Sequence, residues 1–291
     1  MTPISALVVG AGGFLGRSLV RELKSRGHTV HELSSSGPGG IDRVRGLFTD
    51  VPSIPPGIEA VYYVAQSPRA HETASSRAHA FAVNVLSAIE CADAASAAGV
   101  RRFFYTSTGN VYQSSFDPLP ETAPLNRGTL YSLTKIHAEE ALRLYRDMDV
   151  TCVRLFGLYG PGQTERLVPR LVAAIKGGLP ISLEPREGDD ESTDGLRISL
   201  CHVEDAARIM VDLVPQQRIP AINVASSEVL SIRTIADMIG RHTGLSVRWR
   251  LSERKRTFDL IADVSKLQSL LSPAFTPFEA GLRKTLSSCP S

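Results

Sequence analysis

The chain has 291 residues, 43% of them hydrophobic, and a formal net charge of +2. That length suits one large domain or two closely joined ones, with ample apolar material for a buried core. The near-balance of charge gives no electrostatic ground for a nucleic-acid or membrane-surface partner. Cys91, Cys152, Cys201 and Cys289 are scattered, without the paired spacing of a metal site or a disulfide framework. The N-terminal residues lack the basic lead and apolar stretch of a secretory leader, and no apolar run reads as a membrane span. The expectation is a protein of the reducing cytoplasm that uses no metal.

In chain order, "ALVVG" (6–10) predicts a strand stopped by glycine, followed by a helix from Phe14 to Arg26 that Gly27 caps. "HTVHEL" (28–33) and "IEAVYYVA" (58–65) predict two more strands, and an Ala-rich helix is expected over 78–99. "RRFFYTST" (101–108) predicts a strand, a helix opens at Tyr131 and runs to about Asp147, and "VTCVRLFGLYG" (150–160) closes the series. Continuous apolar strands joined by helices imply an α/β, doubly wound parallel sheet. After Gly160 the texture changes. "EPREGDDESTDG" (184–195) reads as an acidic loop. A helix bracketed by strands over about 198–225 is expected to return to the sheet, and a helix over 231–244 and the basic "SERKR" (252–256) follow it. The expected division is a dinucleotide-binding domain over 1–157 and a smaller substrate-binding lobe over 158–291.

"VVGAGGFLGRSLV" places Gly10, Gly12, Gly13 and Gly16 between a strand and a helix. Such glycines permit a tight turn, close backbone approach to a pyrophosphate and close helix–strand packing, and the helix N-terminus offers free N–H groups. Phe14, Leu15, Gly16 and Arg17 open that helix, and Ala65 ends the third strand, so these are cofactor-binding candidates. At the end of the second strand, where an acidic residue would grip ribose hydroxyls, stand Ser34, Ser35 and Ser36. Without that carboxylate nothing repels a 2′-phosphate, and Arg17 could reach one, so NADP is favoured slightly over NAD.

Tyr131 and Lys135 lie four apart, on one helical face. A free phenol titrates near about 10. A neighbouring ammonium favours the phenolate, so Tyr131 can pass the proton of a carbinol while hydride moves to or from a nicotinamide. Thr108, at a strand end with Ser107 beside it, would orient the same oxygen.

The sequence resembles the extended short-chain dehydrogenases/reductases of the NAD-dependent epimerase/dehydratase family. The likeness is carried by the glycine turn, Tyr131 and Lys135, "STGNVYQ", "VNVLSA" with Asn84, "RLFGLYGPG", "CHVEDAA" and "IADVSKLQSLL". The resemblance implies that Thr108, Tyr131 and Lys135 are catalytic, and that Asn84 helps to position the lysine through water. It further implies that Leu158 and Tyr159 touch the nicotinamide, and that Ser67, Thr108, Tyr131, Arg254 and Arg256 are candidate substrate ligands. The long helices near 78–98 and 131–147 pair into homodimers in many relatives, so a homodimer is expected. There are departures. Leu47 stands where an acidic adenine contact is usual and Tyr63 where a histidine is usual. Gly157 replaces an asparagine that holds nucleotide-sugar substrates, and Ile198 and Ser199 replace an Arg-Asp pair. Gly109 and Asn110 follow Thr108, so the acid that sugar dehydratases carry there is missing. These residues favour an NAD(P)-dependent epimerase acting at a carbinol of a nucleotide-activated sugar. The alternative is an NADP-dependent reductase or dehydrogenase of another hydroxylated or keto compound, and a non-catalytic NADP sensor ranks third.

Overall fold

The structure is a computed structural model and describes residues 2–35, 37, 39–68, 76–189, 191–217 and 219–288. Ser36 and Cys289 therefore lie outside the described residues. Ser5–Val9 (β1) leads through the glycine turn into Phe14–Ser25 (α1), and Thr29–Leu33 (β2) and Ala60–Tyr63 (β3) follow. Arg77–Phe81 (α2) continues through a π turn, Ala82–Leu86, into Ser87–Ala97 (α3). Arg102–Thr108 (β4) ends in a 3-10 turn at Gly109–Val111; Leu130–Leu142 (α4) and Asp149–Leu155 (β5) come next. The fourth helix starts where Thr129 accepts the Ser132 N–H as an N-cap, and it stops at Leu142, short of the expected Asp147.

Short elements then alternate: Leu158–Tyr159 (β6), Leu167–Lys176 (α5), Ile181–Leu183 (β7), Arg197–Ser199 (β8) and Cys201–His202 (β9). Val203–Asp212 (α6) precedes Ala221–Val224 (β10). Val229–Ser231 (β11), Ile232–Thr243 (α7), Trp249–Leu251 (β12), Ser265–Leu271 (α8) and Phe278–Ser287 (α9) complete the chain.

The large sheet has six strands in the order β10-β5-β4-β3-β1-β2. From β2 to β5 the pairings are parallel, with Val9 opposite both Leu33 and Tyr63 and Tyr63 opposite Tyr105. The chain runs from β1 out to β2 and then back across to β3. The carboxyl ends of β1 and β3 thus form the switch point where such sheets hold ligands. One expectation is corrected. The strands just before α6 do not return to this sheet, because β8 pairs antiparallel with β11 and β9 pairs with β6. Only β10 returns.

The chain divides into two compact units, one of residues 1–112, 124–155 and 206–222, the other of 113–123, 156–205 and 223–291. In the first, Leu7, Val9, Val61, Tyr63, Phe103, Tyr105 and Cys152 from the sheet pack with Val83, Ala88, Cys91 and Ala92. The second has its own core, with Leu171, Ile175, Ile198, Ile235, Ile239, Phe278 and Leu282. By length and mean hydropathy (1.2), the rod Arg77–Ala97 could cross a bilayer, contrary to the reading that no such run exists. However, 56% of its most apolar 18-residue stretch is buried inside the protein, and its small apolar residues fill the core beside the sheet. It is a core helix.

Candidate active site

The glycine turn is built for close approach. The Gly10 and Ala11 N–H groups donate to the Leu33 carbonyl at 2.8 and 3.1 Å, tying the turn to the end of β2. Gly10 has φ +93°, and a Cβ there would sit 2.7 Å from the Ala65 nitrogen. At Gly16 a Cβ would lie 2.2 Å from the Gly10 carbonyl oxygen. Gly13 is the N-cap of α1, with no capping side chain and no acidic residue in the first turn. The first-turn N–H groups, beginning at Phe14 and Leu15, therefore have no intrahelical acceptor, and no acidic residue of that turn competes for them. A cradle that a methyl group would fill, facing an uncapped helix end, fits the pyrophosphate of a dinucleotide. Arg17 is exposed and folds back to donate to the Gly12 carbonyl at 2.6 Å. Ser34 is half-buried and Ser35 exposed at the end of β2.

Thr108 ends β4, and its Oγ1 accepts from both the backbone N–H and the side-chain amide of Asn110, at 3.2 and 3.3 Å. With its lone pairs so occupied, the Thr108 hydroxyl is directed to donate. Tyr131, in the first turn of α4, donates to Gln66 Oε1 at 3.2 Å. One turn on, Lys135 is buried; its Nζ donates to the Thr106 carbonyl at 2.7 Å and stands 4.7 Å from the centre of the Tyr105 ring. Burial pulls Lys135 down to about 7, partly offset by the Glu139 carboxylate one further turn along. Sequence reasoning missed Gln66. Its only signal is its place just beyond β3, at the same sheet edge as Thr108.

Asn84 sits in the π turn, fully buried. Its Oδ1 accepts the Ser67 N–H at 3.0 Å, its Nδ2 donates to Thr134 Oγ1 at 3.0 Å, and Thr134 in turn donates to the Tyr131 carbonyl. Asn84 thus braces the first turn of the helix that carries Tyr131. Ser67, a candidate substrate ligand, is also fully buried, and its hydroxyl bonds His79 Nδ1 at 2.8 Å. That bond engages the Ser67 hydroxyl inside the fold. Below Lys135, Arg154 makes two bonds to Glu139 (3.0 and 2.6 Å) and one to the Tyr112 hydroxyl (2.9 Å), all buried. This clamp of α4 to β5 has no local sequence signature.

In the second unit, Leu158 is half-buried on β6, and its carbonyl accepts from Gln163 at 2.9 Å. Tyr159 is buried among His202, Phe278 and Gly281. Arg256 departs from a solvated basic stretch: it is 5% exposed, its Nε donates to Asp259 at 3.0 Å, and Nη1 reaches the Glu184 carbonyl and Ser192. Arg254 is exposed, 3.7 Å from Glu184. Gly157 is crowded, for a Cβ there would meet Leu200 at 2.5 Å and Ile198 at 3.1 Å. Among the described residues there is no cluster of side chains able to hold a metal.

The sequence profile of the NAD dependent epimerase/dehydratase family matches residues 6–225. A dTDP-4-dehydro-6-deoxy-D-allose reductase from a Streptomyces species is 25% identical over 315 aligned positions, covering 97% of this chain and 94% of that one. A 2-alkyl-3-oxoalkanoate reductase of Stenotrophomonas maltophilia is 30% identical over 188 positions, 59% of this chain and 56% of its own. Among solved structures, the UDP-glucuronic acid 4-epimerase of Bacillus cereus, in complex with UDP-glucuronic acid and NAD, superposes with a TM-score of 0.79. It covers 98% of both chains at 20% identity, a likeness of fold. With the profile spanning most of the chain, the protein belongs to the NAD dependent epimerase/dehydratase family and is an enzyme of the extended short-chain dehydrogenase/reductase type.

Proposed function

We propose that the protein is an NAD(P)-dependent epimerase acting at a carbinol of a nucleotide-activated sugar. The observation that carries this reading is a complete proton-transfer set with no acid beside it. Tyr131 and Thr108 can serve one oxygen, and Asn110, where a dehydratase needs an acid, is an amide bonded to Thr108. When bound, the nicotinamide accepts or supplies the hydride. Tyr131 takes the carbinol proton and returns it, Thr108 donates to the same oxygen, and Lys135 orders the base of the site from beneath. Epimerisation requires that the sugar ketone turn over in the pocket before hydride comes back. The nucleotide-sugar class is supported by the ligand of the Bacillus neighbour and by the sugar nucleotide in the name of the Streptomyces relative. NADP is favoured over NAD because serines occupy the ribose-reading end of β2.

The test is incubation with UDP- and dTDP-hexoses, followed by NMR of the product. Conversion of one sugar into its epimer at constant nicotinamide absorbance is expected. Absence of epimer with every sugar, alongside stoichiometric consumption of reduced cofactor with a keto sugar, would replace this reading with the second. That second reading, a net reductase, is favoured by Gly157. The space in which relatives are expected to hold a substrate with asparagine is filled here by Leu200 and Ile198.

A further inference from the structure

We propose that Arg43 is the residue that recognises a 2′-phosphate on the adenosine ribose, and that His79 is the positioning residue that holds it there. This rests on the NADP reading above and deepens it. Arg43 lies ten residues beyond β2 in the chain, yet its Nε donates to Ser35 Oγ at 2.8 Å, at the strand end tied to the glycine turn. That bond uses one of five guanidinium donors, Arg43 is exposed, and among the described residues no carboxylate pairs with it. Arg17, the nearer arginine in sequence, is instead bonded to the Gly12 carbonyl.

The loop that carries Arg43 is anchored far more firmly than a solvated arginine requires. Asp42 Oδ1 accepts the N–H groups of Val44 and Arg45, at 2.8 and 2.6 Å, and the Gly46 N–H closes on the Asp42 carbonyl at 2.8 Å. The loop is docked on the α2–α3 rod at two carbonyls: that of Arg43 against His79 Nε2 at 3.0 Å, and that of Gly46 against the Ser87 hydroxyl at 3.0 Å. Gly46 has φ +75°, and a Cβ there would stand 2.9 Å from Val83, so the backbone lies flush against the rod. Because Nε2 faces a carbonyl it must carry the hydrogen, and Nδ1 then accepts from the buried Ser67 hydroxyl. Ser67 is held by Asn84, the same residue that braces the helix that carries Tyr131. A cation fixed by its own backbone, beside a serine hydroxyl and, among the described residues, paired with no carboxylate, is pre-organised for a dianionic phosphate.

The test is titration calorimetry of the full chain with adenosine 2′,5′-bisphosphate and with adenosine 5′-monophosphate. The wild type should favour the bisphosphate by about ten- to a hundredfold, the range for one or two charge-assisted bonds. That preference should shrink as salt is raised. Arg43→Gln should bring it near unity while leaving monophosphate affinity in place, Arg43→Lys should keep part of it, and Arg17→Gln should keep all of it. His79→Ala should lower the bisphosphate preference without weakening the monophosphate; equal weakening of both ligands would reduce His79 to a structural residue and overturn its positioning role. Retention of the full preference in Arg43→Gln would overturn the Arg43 assignment and leave the NADP reading standing. A wild type without preference would overturn both.

Discussion

Lys135→Met should make the cofactor-free protein more stable in mild acid and less stable in alkali. The reasoning starts from burial: Lys135 has no exposed surface, and its titration falls from 10.5 in the unfolded chain to about 7 in the fold. Between those values the unfolded chain binds the extra proton, so the wild-type contribution to stability rises with pH across the window. Below pH about 7 both states are charged and the full cost of the buried ammonium is felt. At about 1.36 kcal/mol per pH unit, the window spans on the order of 5 kcal/mol. Methionine fills similar space without charge but forfeits the bond to the Thr106 carbonyl, a pH-independent loss of about 1–3 kcal/mol. The variant should therefore gain about 2–4 kcal/mol near pH 6 and lose about 1–3 kcal/mol near pH 10. Urea titrations of both proteins across that range read the difference directly. A difference that stays flat with pH would refute the argument.

Tyr131→Phe keeps the ring but deletes the transferable proton, so turnover should fall by about two to four orders of magnitude while calorimetric dinucleotide affinity survives. Gly16→Ala places a methyl 2.2 Å from the Gly10 carbonyl, so dinucleotide affinity should fall at least tenfold, and thermal scans should show a lower Tm. Arg154→Met leaves the buried Glu139 carboxylate without its two short bonds and with the 3.4 Å contact from the more exposed Arg143, a loss of about 3–5 kcal/mol in denaturant unfolding, whereas replacing both Arg154 and Glu139 with apolar residues should recover much of it. Light scattering at micromolar concentration is expected to give the mass of a homodimer.

What could be read from the sequence is what local chemistry enforces. The β1-turn-α1 unit was legible because only glycine tolerates the backbone contacts at positions 10 and 16. The placement of Tyr131 and Lys135 one turn apart on a single helix was legible because their spacing of four fits the helical period. Gln66 was not legible, since a lone glutamine after a strand has no pattern until the phenol is seen against it. The Arg43–His79 and Glu139–Arg154 pairs join residues whose separations carry no period, so only the folded chain brings them together. The Ala-rich helix was placed correctly, but its π turn could not be foreseen, because Asn84 bonds there to two distant segments.

The return of Ala221–Val224 to the large sheet governs how the protein is made and how it can be cut. During synthesis β5 leaves the ribosome long before its outer neighbour, and it must wait with an open edge until Ala221 emerges. A gene truncated after residue 157 would make that wait permanent. It would leave the Cys152 N–H without the Pro220 carbonyl and the apolar strand end uncovered, a template for intermolecular pairing. The first unit is therefore not a separable cassette. Soluble fragments or fusions need breakpoints that keep 206–222 with the first unit, and a circular permutation placing that segment before β1 would let the sheet close without delay.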